Sequence, residues 1–156
     1  MALHFSAGAT RTYNTAGNTT LRAQWKQTGT LALSYQTHVQ TIGWQKKVSL
    51  NTNGKSLKDV KGPMSGTSGR ALRLEAITIE LTGDLKKHYD IYYRVHAQKV
   101  GWMGWAKNGE QAGTAGHAYR LEGIQILLVP KAGGKAPGNL YKGITTPAGT
   151  PKFIRK

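Results

Sequence analysis

The chain has 156 residues, no cysteine, and 22 Lys and Arg against seven Asp and Glu, a formal charge of +15. That length suits one domain with a core that needs no staples, and the missing cysteine excludes a disulfide framework and thiolate metal sites. The charge favours polyanionic partners, but no uninterrupted basic block marks a nucleic-acid arm: the cations are scattered, with small groups at Lys46-Lys47, Lys86-Lys87 and Lys152/Arg155/Lys156.

Along the chain, Met1–Phe5 offers no basic region followed by a long apolar stretch, so no secretion signal is read there. No run of 18 apolar residues predicts a membrane span. Thr15-Ala-Gly17 followed by Leu21-Arg-Ala-Gln-Trp25 reads as a worn, partial copy of a pattern that is clearer later. Leu31–Tyr35 alternates apolar and polar and predicts a strand. It runs into Tyr35-Gln-Thr-His-Val-Gln-Thr-Ile-Gly-Trp-Gln45. A basic loop follows within 46–65, carrying Lys46, Lys47, Lys55, Lys58 and Lys61, with a turn at Asn53-Gly54. Next come the glycine turn Gly66-Thr-Ser-Gly69, a strand over Arg73–Leu81 and a turn at Thr82-Gly83-Asp84.

The pattern then repeats. Ile91–Val95 alternates, and Tyr93-Arg-Val-His-Ala-Gln-Lys-Val-Gly-Trp-Met103 restates Tyr35–Gln45 with Tyr, His, Gln, Gly and Trp in the same order. Asn108-Gly109 predicts a turn, Gly113-Thr-Ala-Gly116 a second glycine turn, and Arg120–Leu128 a second Arg-Leu-Glu strand. Trp44 to Gly66 spans 22 residues and Trp102 to Gly113 spans 11, so the first copy carries an insertion, a change that surface loops tolerate. After Pro130 the chain predicts a loop, with Leu140–Ile144 and Lys152–Ile154 as closing strands.

Copied units of this kind bury their core against their neighbours. The predicted fold is a single all-β domain over 1–156, with units at 13–30 (partial), 31–81 and 89–129, and a loop with closing strands over 130–156. Three units suggest pseudo-threefold closure, which hides sheet edges. A β-prism fits best if 73–81 turns back onto 89–102; a β-trefoil is the alternative. Strand parity places Glu75 on the face of Ile77, Ile79 and Leu81, and Glu122 on that of Ile124, Ile126 and Leu128. If these isoleucines point inward, both carboxylates need partners. His38 and His96 are the first candidates, with Arg73 and Arg120 as rivals.

Two readings remain open for the repeated tryptophans. Trp44 and Trp102 either pack beneath the glycine that precedes each of them or stack on a sugar face. Trp105 appears in the second copy alone and is the better platform. Tyr35, Tyr93, His38, His96, Gln40 and Gln98 complete a palette suited to hydroxyl-rich ligands, the amides offering both donors and acceptors. Gln40 and Gln98 serve equally well to satisfy loop backbone. Lys46, Lys47, Lys55 and Lys58 are candidate anion contacts. Catalysis lacks residues: there is no cysteine nucleophile, acids are few, and the glycine turns lack the Lys-Ser/Thr ending of a phosphate loop. No histidine spacing points to a metal, and no cofactor is expected.

Taken together, Tyr-x-x-His-Val-Gln-x-Ile-Gly-Trp, the Gly-Thr-x-Gly turn and Arg-Leu-Glu-Ala-Ile-x-Ile-x-Leu resemble the clostridial hydrophobic repeats with a signature tryptophan, the ChW repeats. The resemblance covers roughly 31–129. Ala97, Val100 and Gly123 depart from the usual Val, Ile and Ala by small, core-type changes. It implies a non-catalytic module beside wall hydrolases, adhesins or phage lysins of Gram-positive bacteria. Cell-wall polysaccharide, teichoic acid or a protein partner is the implied ligand. The implied place is extracellular or at the cell surface, or the cytoplasm before lysis if the chain is phage-encoded. A charge-driven nucleic-acid binder and a structural module of a surface or phage assembly are the alternatives.

Overall fold

The computed structural model describes residues 31–52, 60–134, 137 and 149–156. The first copy forms β1 (Ala32–Val39), the short β2 (Gly43–Trp44) and β3 (Val48–Asn51), and the long β4 (Leu74–Thr82). The helix α1 (Gly83–His88) leads to the second copy: β5 (Tyr89–Ala97), β6 (Gly101–Trp102), β7 (Ala106–Lys107), β8 (Ala112–Ala115) and β9 (Leu121–Pro130). A last strand, β10 (Phe153–Arg155), supplies one of the two expected closing strands. The fold is all-β, as the period-two alternation predicts. The partial unit at 13–30, Asn53-Gly54 and Leu140–Ile144 lie outside the described residues.

Each copy pairs with itself. β1 runs antiparallel to β4 with Tyr35 opposite Ile79, and β5 antiparallel to β9 with Tyr93 opposite Ile126. Both pairings shift just after the histidine, between His38 and Val39 and between His96 and Ala97. Such a bulge bends the strand and re-aims its side chains. The loops that follow match bond for bond. The Gln40 N–H donates to the Arg73 carbonyl and the Gln98 N–H to that of Arg120, each at 2.9 Å. Thr41 and Lys99 both adopt φ 65°, and Gly43 and Gly101 adopt 90° and 84°. The repeated letters therefore encode a repeated backbone.

The expected turn-back of 73–81 onto 89–102 is corrected by the structure. β4 and β5 lie in different sheets: one is ordered β10-β8-β4-β1 with β2 and β3 along β1, the other has β5 between β9 and the pair β6 and β7. Both edges of β4 are taken, by β1 and β8, and both edges of β5 by its own copy, so neither has an edge left for the other. Gly83, at φ 62°, starts α1 instead of closing a tight hairpin, and the chain crosses between sheets.

The core lies between the two sheets. Ile79 and Leu81 of β4 meet Ile91, Tyr93, Val95 and Ala97 of β5, with Met103, Ala106 and Ala112 filling in. Tyr93 is fully buried and its phenol donates to the Glu110 carbonyl, just as Tyr35 donates to that of Pro63. Burial pushes the Tyr93 phenol up to about 12. The expected inward row holds in the first copy, where Glu75, Ile79 and Leu81 are 1, 6 and 2% exposed. It fails in the second: Ile124, Ile126 and Leu128 are 45, 50 and 45% exposed. They share the face of Val95, Tyr93 and Ile91 across the β5–β9 pair. Among the described residues, however, β4 and β8 pack over β5 and leave β9 at the margin.

What locks the copies together is β8. It belongs to the second copy but pairs with β4 of the first, Ala76 opposite Gly113 and Ile77 opposite Ala112. β10 then adds in parallel to β8, with Ile154 opposite Thr114. Gly113 is the tight point: a Cβ there would stand 2.3 Å from the Glu75 carbonyl oxygen and 2.8 Å from the Ala76 Cα. Gly66, its counterpart, has the same backbone, φ 126° against 120°, but a Cβ there would meet the flexible Leu74 side chain at 3.1 Å. Three carboxylates brace the margins. The Lys86 ammonium holds Glu80 below its ordinary range, Lys107 and Asn108 do so for Asp90, and Lys152 for Glu110.

Gly113→Ala is expected to cost about 2–4 kcal/mol, as overpacking and strain at a special backbone position do, and Gly66→Ala clearly less. Urea denaturation of the two variants checks the order, and equal losses would contradict it. The carboxylates set the acid limit. Their folded values are depressed, so their stabilisation is present above the unfolded carboxylate range and is lost as pH falls through the folded values. The raised Tyr93 works at the other end: its contribution is complete below the unfolded phenol range and disappears as pH rises toward about 12. Melting temperature followed against pH should fall on both flanks, and Lys152→Ala should flatten part of the acid flank.

Candidate binding cleft

In each copy the bulge turns a histidine toward the glutamate on the neighbouring strand. His38 Nδ1 lies 3.1 Å from Glu75 Oε2, and His96 Nδ1 3.2 Å from Glu122 Oε2. Each tryptophan sits opposite its histidine in the ladder and stands edge-on to it, at 5.4 Å for Trp44 and 5.5 Å for Trp102, both at 80°. In both copies the tryptophan thus stands against the imidazole and the imidazole lies beside the carboxylate, though His38 Nδ1 forms no hydrogen bond among the described residues.

The surroundings of the two histidine–glutamate contacts differ. Glu75 is 2% exposed at its side chain and Glu122 is 32% exposed. The Arg120 guanidinium reaches Glu122 Oε1 at 2.8 Å, whereas Arg73 donates instead to Gln40 Oε1 at 3.2 Å. Glu75 Oε1 has no hydrogen-bond partner among the described residues. Glu75 is one of the residues lining a cleft of about 540 Å³, with His38, Gln40, Thr41, Ile42 and Gly43 from the same copy. The opposite wall comes from the second copy, where the expected Gly113–Gly116 turn is instead the end of β8 and the bend after it (Ala115, Gly116 and Ala118), and from Arg155 at the end of β10 with Lys156 next to it. The cleft exists because β8 docks on β4. Without that joint, the Glu75 carboxylate would face solvent.

Of the residues singled out from sequence, His38 and Gln40 line this cleft. Trp44 stands behind it, against His38 and 6.5 Å from Phe153. Tyr35 and Tyr93 direct their phenols to backbone carbonyls. Lys46 and Lys47 are exposed away from the cleft wall, Lys47 reaching Glu80 at 3.8 Å. Lys55 and Lys58 lie outside the described residues. His96 and Trp102 form the second such contact with Glu122, and Gln98 donates its backbone N–H to the Arg120 carbonyl; none of them lines this cleft. Neither the wall at 115–118 nor Arg155 and Lys156 were singled out as cleft residues from sequence. The Lys152/Arg155/Lys156 group was visible, but nothing in its spacing says that the chain returns to the first copy.

Trp102 and Trp105 share a different task. The Arg94 guanidinium lies between them, 5.0 Å from one ring and 4.9 Å from the other, with its Nε donating to Gln125 Oε1 at 2.6 Å. Arg94 is fully buried. Its counterpart in the first copy is Gln36, and that copy has no second tryptophan, so Arg94 and Trp105 enter together. Two indole rings within about 5 Å compensate a cation removed from water. Among the described residues no three His, Asp or Glu side chains gather as a metal group, and no helix is long and apolar enough to cross a membrane.

Trp105→Ala removes one of the two rings beside a buried guanidinium and is expected to cost about 3 kcal/mol, the range for disturbing a buried charge. Chemical denaturation measures it; a loss within experimental error would mean that the ring does not support Arg94.

Residues 60–83 and 96–130 match the family model described as Clostridial hydrophobic W, ChW. The second match runs from His96 through Trp102 to the end of β9, while the first begins at 60, within the basic loop of the first copy. No curated protein and no solved structure matches the chain. ChW repeats are associated with cell-surface or wall-associated proteins. The duplicated histidine–glutamate contacts and the duplicated loop agree with these spans: residues 60–83 and 96–130 are similar to ChW repeats.

Proposed function

We propose that the chain is a non-catalytic binding module that attaches to bacterial cell-wall glycan or anionic wall polymer, as the targeting part of a wall hydrolase, lysin or adhesin at the cell surface. One observation carries this reading: a cleft walled by both repeats, with a buried carboxylate oxygen that lacks a hydrogen-bond partner among the described residues beside an imidazole and an amide. A few convergent polar groups in a concave site are the usual means of fixing a hydroxyl-rich ligand. The net charge of +15 supports attraction to a polyanionic wall.

The same charge favours a second reading, sequence-independent binding to nucleic acid, whose affinity falls steeply with salt. Failure to be retained on a DNA column at low salt removes it.

Co-sedimentation with purified Gram-positive walls, before and after teichoic acid removal, tests the first reading. Pelleting with neither preparation overturns it. Gln40→Ala should weaken pelleting about fivefold, the worth of a hydrogen bond of about 1 kcal/mol, and Gln98→Ala should change it little. Equal effects would place binding outside the cleft.

A further inference from the structure

The cleft's two walls carry opposite chemistry, and this sharpens the binding reading on which it rests. At the floor, Glu75 is 1% exposed, and its Oε1 lacks a donor among the described residues. A carboxylate oxygen only accepts hydrogen bonds, and leaving one buried without a donor is costly. The floor therefore calls for an O–H or N–H from whatever enters. At the rim stand Arg155 and Lys156. Most other cations near the described acids are paired: Lys47 and Lys86 with Glu80, Lys87 with Asp84, Lys107 and Lys131 with Asp90, Lys152 with Glu110. Arg155 and Lys156 form no ion pair with an acid among the described residues. They border the bend at Gly116, which adds no negative side chain.

We propose that the cleft selects one polyhydroxylated residue bearing a phosphate or carboxylate. A ligand hydroxyl donates to Glu75 Oε1, and the anionic group sits on Arg155 and Lys156. Arginine suits either anion because its planar donors match both oxygens of the group. Glu75 itself disfavours an anion at the floor, so the ligand enters in one orientation, hydroxyl first. A neutral glycan of equal size satisfies the floor and leaves the rim unused.

NMR titration of the full chain with glucose 1-phosphate, glucuronate and glucose tests this. The expected result is that at least one anionic sugar binds roughly tenfold more tightly than glucose, as charge-assisted hydrogen bonds do, with shifts at Gln40 and Gly116. Preference between the phosphate and the carboxylate identifies the anion. Arg155→Ala and Lys156→Ala, both at exposed positions, should bring the anionic sugar to the affinity of glucose. Glu75→Gln should weaken all three sugars; if it unfolds the chain, the rim variants still decide. Equal affinity for glucose overturns the proposal and leaves a neutral wall-glycan module standing. Shifts confined to residues away from the cleft overturn it too, even where wall pelleting persists.

Discussion

The contact on which the rest depends is the seat of Gly113 against β4. There the backbone of the second copy comes so near the Glu75 carbonyl and the Ala76 Cα that no side chain fits. Three consequences follow from that one approach. β8 completes the first copy's sheet, β10 gains an edge to pair with, and the chain at 115–118 becomes the far wall of the cleft. The glycine is required twice over, by its positive φ and by the space it leaves. The two units are joined because the second lends β8 to the first copy's sheet.

The second organising element is the histidine. A bulge after His38 and after His96 aims both imidazoles at a carboxylate, and a tryptophan stands edge-on to each ring. Identical local geometry gives different outcomes because the neighbours differ. In the first copy the chain at 115–118 and the last strand enclose the glutamate. In the second the glutamate stays half-open and takes an arginine as a further partner. The signature supplies the contact, and its neighbours decide how much water reaches it.

Much of this was legible from the residues. The strands follow from alternation, and strand parity pointed to a partner for each glutamate, with histidine first among the candidates. Three things were not. The partner of 73–81 was misjudged because a Gly-Asp turn signal says nothing about which edges are already taken, and β8 and β1 take both edges of β4. The Ile124, Ile126 and Leu128 row was expected inside because parity fixes which residues share a face but not what covers it. The cleft was only half visible, since its second wall joins residues separated by a long stretch of chain. Arg94 was also passed over, although its appearance alongside Trp105 in one copy was a readable sign.

A cleft walled by two successive repeats follows an unusual arithmetic. A cleft of this kind forms at a junction, not within a repeat, so a solitary unit has the histidine–glutamate contact but no complete cleft. An open row of units has one cleft fewer than its units, and a closed ring has as many clefts as units. Lengthening such an array by a single repeat therefore matters most at the start, where the first addition takes the number of clefts from zero to one. Inserting a linker between two units would delete a cleft without altering a single residue of either.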